Sequence, residues 1–162
     1  MSVNKILDLA ITYNGSDVKR INHLLKVFSF ARLIGIMENC EPQLQTIIEI
    51  SAILHDIGIH ESERKYNSSA GKWQEIEGPI VAQELLKNLN LDNNILERVL
   101  FLIGHHHSYK GIDGIDFQIL VEADFLVNIF EDGTGKYECE KIKNNIFKTK
   151  TGIRLLEQLY IP

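Results

Sequence analysis

Cysteine is nearly absent from this sequence: Cys40 and Cys139 are the only two, and their spacing fits neither a thiolate metal site nor a redox pair. That excludes a disulfide-stapled secreted scaffold, and two reduced thiols make a cytoplasmic protein the expectation. Missing too is any uninterrupted apolar run long enough to span a bilayer, and the opening MSVNKILDLAITYNG has no secretory cleavage pattern. No membrane partner is expected. Positive charge is scarce, with 17 Lys and Arg against 22 Asp and Glu and a formal charge of −5. Such a surface repels a polynucleotide backbone at long range, so none is expected as a partner. Strand-like alternation is rare, and no internal repeat, low-complexity tail or linker divides the 162 residues. The length suits one compact domain, 1–162.

What is present is helical periodicity. Apolar positions recur at three and four residues through 17–39, 43–57, 79–89, 94–104 and 116–130. Asp17, Glu41-Pro42, Gly78-Pro79 and Asp92 stand at helix starts, with Pro42 and Pro79 in first turns, and Gly58, Gly104 and Gly133 stand at ends. Two polar stretches, ESERKYNSSAGKWQE and HSYKGIDGID, read as loops, the first long enough to form a lid. The tail IFKTKTGIRLLEQLY reads as a short helix capped by Thr151. The fold class is all-α.

Four polar residues fall on apolar faces. Asp124 shares a helical stripe with Phe117, Leu120, Val121 and Val127, so it points into the core. Burying an ionised carboxylate without a cation costs several kcal/mol, so Asp124 demands a positive partner. His23 lies over Val27, Phe30 and Ile34. His55 follows Ile48 and Ser51 on its face, and Asp56 is roughly 100° further round, near enough for both to meet one ion beyond the helix end. Gly58 then lets the chain turn away. Two imidazoles and two carboxylates from three apolar helices suit a divalent transition metal with open positions.

The ordered set His23, His55-Asp56 in LHDIG and Asp124 in VEADFL resembles the HD-domain superfamily of metal-dependent phosphohydrolases, over about residues 19 to 130. The resemblance implies a compact helical bundle of the HD-domain type, with its core at about 17–130 and a C-terminal helical extension at 137–160. It implies that His23, His55, Asp56 and Asp124 bind manganese, iron, cobalt, nickel or zinc. LIGHHHSY is similar to the region where related proteins place histidines near a substrate phosphate or a second metal, which makes His105 and His106 candidates. Binuclear members usually carry another histidine before these and often a lysine soon after the HD pair. Here no histidine lies between His60 and His105, and Ile59 stands in the lysine's place. One ion is therefore expected and a second left open, with Glu75 or Glu77 as substitute ligand or base and His60 as a loop residue.

The implied activity is hydrolysis of a phosphoester or phosphoanhydride by a metal-activated water. Asp56 would hold or deprotonate that water, with Glu77 as reserve base and His105 and His106 facing the phosphate. Arg20, one turn before His23, Lys72 and Lys110 in the polar stretches, and Lys148 and Lys150 near Arg154 in the tail are the substrate-binding candidates. If the tail covers the site, the substrate is a small phosphorylated molecule, a nucleotide first. Two other readings stay open: a non-catalytic sensor module binding metal and nucleotide, and an iron-dependent oxygenase, against which the absent middle histidine argues. A homodimer is also left open.

Overall fold

The longest apolar stripes become the innermost helices. The computed structural model describes residues 3–162, and nine α-helices run among them. These are α1 (Val3–Asn14), α2 (Val18–Met37), α3 (Pro42–Leu54), α4 (Ile59–Tyr66), α5 (Gly71–Leu86), α6 (Asn93–Ile103), α7 (Ile115–Glu131), α8 (Lys136–Ile146) and α9 (Lys150–Tyr160). Helices α2, α3 and α7 pack on one another, α1 and α6 lean on α3, and α9 closes against α2 and α7. From Ile47 to Leu54 every residue of α3 is buried, Glu49 and Ser51 among them, and the Glu49 carboxylate is met there by Arg32. No described helix is long and apolar enough to cross a membrane.

The all-α expectation holds, and three local readings are corrected. ESERKYNSSAGKWQE is mostly helix, with only residues 67–70 connecting α4 to α5. Ion pairs from Glu61 to Arg64 and Lys65 support α4, Ser62 Oγ donates to Gly58 O, and left-handed Asn67 ends it. A charge pattern of this kind carries no apolar stripe to read. Helix α5 begins at Gly71, so Pro79 sits inside it and not in its first turn. Thr149, not Thr151, caps α9: its Oγ1 accepts from Gly152 N at 2.9 Å, while Thr151 N donates to Glu38 Oε1. Periodicity assigned no helix to Val3–Asn14, which buries Ile6 and Ala10.

Gly58 has φ −78°, so its service is not a left-handed turn. A Cβ there would meet Gly78 N at 2.5 Å, and one on Gly78 would meet Ile103 Cγ2 at 2.7 Å. Paired glycines let the turn after α3 touch α5 backbone to backbone.

A buried carboxylate ties the tail to the core. Glu122 on α7 accepts from Lys148 N at 2.6 Å, Thr149 N at 2.9 Å and Gln118 Nε2 at 2.7 Å, and from the Thr149 hydroxyl. Burial nevertheless raises its pKa above the usual carboxylate value. Glu122→Ala leaves those amides without an acceptor and should cost about 3 kcal/mol, whereas Glu122→Gln keeps the acceptor oxygen and should cost under about 1 kcal/mol. Thermal unfolding of the two variants measures the difference.

Candidate metal centre

Three histidines present the same atom to the same space. His23 Nδ1 lies 2.9 Å from Glu131 Oε2, His55 Nδ1 2.8 Å from Ala52 O, and His106 Nδ1 2.8 Å from Ile103 O. Each partner accepts, so in the neutral rings the proton sits on Nδ1 and the Nε2 lone pair faces inward. His23 Nε2 is 3.2 Å from His55 Nε2 and from Asp124 Oδ1, and 3.4 Å from Asp56 Oδ2. His55 Nε2 is 3.4 Å from Asp56 Oδ2 and 3.6 Å from Asp124 Oδ1. Lone pairs and carboxylates at such separations repel unless positive charge lies between them.

These spacings fit a metal. Bonds of about 2.1 Å set neighbouring ligand atoms roughly 3.0 to 3.5 Å apart, for angles between octahedral and tetrahedral. The donor set of two imidazoles and two carboxylates also suits a divalent transition ion. His55 is fully buried, Asp124 is 9% exposed, and Asp56 at 25% opens onto solvent. Burial disfavours the charged form of both His23 and His55, but facing Asp56 and Asp124 outweighs it and raises both pKa values, that of His55 strongly. Burial likewise opposes ionisation of Asp56 and Asp124, and the imidazoles outweigh it and hold both well below the usual carboxylate range.

A second group adjoins the first. Asp56 Oδ1 lies 3.4 Å from His106 Nε2, off line for a hydrogen bond, and that buried nitrogen has no other partner. Asp56, His106 and His107 also converge closely enough to hold an ion. His107 is depressed to about 4 by burial and by neighbouring His106, which keeps it neutral and able to ligate. Residues 106–108 are held in place by Glu75, whose Oε1 accepts from His107 N and Ser108 Oγ, both at 3.0 Å.

Thus His23, His55, Asp56 and Asp124 come together, and His106 joins them. His105 does not: it is exposed, with its ring stacked on Phe101 and Nδ1 on Phe101 O, because α6 stops at Ile103 and leaves it one turn beyond Phe101 on the outer face. Glu77 is buried elsewhere, its carboxylate taken by Lys65 Nζ at 2.6 Å and Tyr66 OH at 2.8 Å. Lys72 lies over the Trp73 ring, Lys110 is exposed on the turn Tyr109–Gly111, and Lys150 is exposed at the start of α9. Lys148 lines a separate depression with Glu38 and Gly114. Arg20 does line the cleft above His23 and Asp56, paired with Asp17 and Glu63. His60 belongs to α4 and bridges Arg20 to Asn14.

Sequence reasoning missed Asn128 and Glu131, although they follow Asp124 by four and seven residues on one stripe. Asn128 Nδ2 donates to Asp124 Oδ1 at 2.9 Å, and Glu131 orients His23 while Lys26 holds its other oxygen at 2.6 Å. It also missed His107, Lys19 beside Arg20 in the cleft wall, and Tyr109. The Tyr109 phenol is pushed up to about 12 by burial and then by Asp124 and Glu75.

The family model described as HD domain matches residues 20–145, a span that includes all five converging side chains. The chain belongs to the HD-domain family. A crystal structure described as a predicted HD superfamily hydrolase, from an uncultured Thermotogales bacterium, is similar in fold with a TM-score of 0.69. It shares 22% identity, over 96% of this chain and 83% of that one. A search of curated proteins finds no match. The matched span contains the His55-Asp56 dipeptide.

Glu131 supplies the test of this geometry. Carboxylates behind metal-bound imidazoles typically contribute 10- to 100-fold in affinity. Glu131→Gln should weaken Mn2+ binding by about that factor while leaving the helical spectrum unchanged, as read by isothermal titration.

Proposed function

We propose that this HD domain hydrolyses the phosphoester or phosphoanhydride of a small phosphorylated molecule. The observation that carries the reading is the meeting of three Nε2 lone pairs and two carboxylates beneath a cleft that His23 and Asp56 line and whose wall bears Lys19 and Arg20. A divalent ion bound there supplies Lewis acidity and a water of lowered pKa. His23, His55 and Asp56 hold one ion in this reading, with Asp124 as the fourth ligand through Oδ1, 3.2 Å from His23 Nε2, and Asp56, His106 and His107 form a weaker second position that shares Asp56.

Asp56 turns Oδ2 toward His23 and His55 and Oδ1 toward His106, so Oδ1 is the base placed to take a proton in the cleft. With Nδ1 donating to Ile103 O, neutral His106 turns its Nε2 lone pair toward Asp56, so this reading makes it a ligand in place of the expected donor. Lys19 makes no ion pair among the described residues and is the free cation for the phosphate, with Arg20 behind it. His105, Glu77, Lys72, Lys110, Lys148 and Lys150 do not line the cleft, so this reading gives them no part, and the case for a nucleotide, which rested on the basic tail covering the site, is not carried into it. The free thiols of Cys40 and Cys139 suit the cytoplasm as the working compartment.

Protein loaded with Mn2+ should release phosphate from p-nitrophenyl phosphate, and Asp56→Ala should release none. Because His23 and His55 are raised above 6.5, protons compete for their Nε2 atoms from above that pH, so activity should fall as the medium is acidified through that range. Full metal occupancy without phosphate release would favour the sensor reading instead.

A further inference from the structure

The cleft above the HD pair measures about 320 Å³, at the small end of ligand clefts, which run from roughly 300 to 1,000 Å³. Ten of its eleven lining side chains are polar, Ile59 being the exception. The last turn of α7 contributes Asn128, the residue that caps it contributes Asp132, and the connector before α5 and its first turns contribute Ser69 and Gln74. Asn128 spends one amide proton on Asp124 and keeps its oxygen, and Asp132 has no cation partner among the described residues. Amides, a hydroxyl and carboxylates around one small space are the groups that exchange hydrogen bonds with alcohols.

A nucleobase asks for something else, a ring face on which to stack. The aromatic side chains near the cleft are engaged: Trp73 is stacked on Tyr66 at 4.0 Å with the Lys72 ammonium over its ring, and Tyr109 packs against Phe125 at 5.2 Å. None of them lines the cleft. We infer that the cleft takes a small hydroxyl-rich phosphate monoester, a sugar or polyol phosphate, with the phosphate toward Lys19 and Asp56 and the hydroxyl groups toward Asn128 and Asp132. The inference rests on the phosphohydrolase reading for its chemistry and on the polar lining for its substrate class.

Ribose 5-phosphate and adenosine 5′-monophosphate share the phosphate and the pentose and differ in the base. With Mn2+-loaded protein, kcat/KM for ribose 5-phosphate should equal or exceed that for the nucleotide. Asp132→Ala should raise KM for ribose 5-phosphate by roughly 3- to 10-fold, the loss of one or two hydrogen bonds. A nucleotide preferred by a factor on the order of 10 to 100, the gain that base stacking gives, would overturn the assignment. If p-nitrophenyl phosphate is not hydrolysed, the hydrolase reading fails separately. Calorimetric binding of the same two compounds to the Mn2+-loaded protein then decides the inference: tighter nucleotide binding refutes it, and equal or tighter ribose 5-phosphate binding sustains it.

Discussion

An ionised carboxylate inside a helical core needs a positive charge beside it, and Asp124 sets that condition for this fold. It lies 9% exposed on α7, whose buried side chains are mostly apolar. Asp56 brings a second carboxylate to the same point from the turn after α3, and His23 and His55 bring nitrogen lone pairs from α2 and α3. The three helices that make the core, with the turn after α3, are thus the ones that bring the candidate ligands together. Facing one another, the carboxylates raise the pKa of both rings and the rings depress those of the carboxylates. A divalent ion meets the same demand with shorter contacts and leaves positions for substrate.

Much of the remaining structure serves to aim these groups. Outer acceptors differ by ring, with a carboxylate behind His23 and backbone carbonyls behind His55 and His106, yet all three leave Nε2 facing the centre. Gly58 against Gly78 brings the HD turn onto α5, and α5 in turn carries Glu75, which grips the chain from His107 to Ser108. Arg98 fixes the far end of that segment through Asp113 and Asp116. The second histidine group therefore reaches Asp56 by way of backbone packing that no single motif encodes.

The legible part of this molecule is the part governed by periodicity. Asp124 was readable because a charge on an apolar stripe is an anomaly at spacings of three, four and seven, and His23 by the same logic. Helix α4 was not, since its support comes from charge pairs on a polar surface, and Thr149 was not preferred over Thr151 because the choice depends on Glu122 and Glu38 approaching from distant helices. Which of three consecutive histidines turns inward depends on where α6 ends: His105 stays over Phe101 while His106 and His107 face Asp56. Glu77 looked like a reserve base in sequence and is neutralised by Lys65 twelve residues earlier, across the junction of α4 and α5. Long-range partners of this kind leave no mark in a local pattern.

The central claim is that one ion holds His23, His55, Asp56 and Asp124 together, and elemental analysis addresses it most directly. Protein purified without a tag or chelator should carry about one manganese, iron, cobalt, nickel or zinc per chain, and Asp124→Asn, which keeps the side-chain volume, should carry none while remaining helical. A wild-type protein that takes up no divalent metal after reloading, or an Asp124→Asn variant that retains full occupancy, would contradict the account.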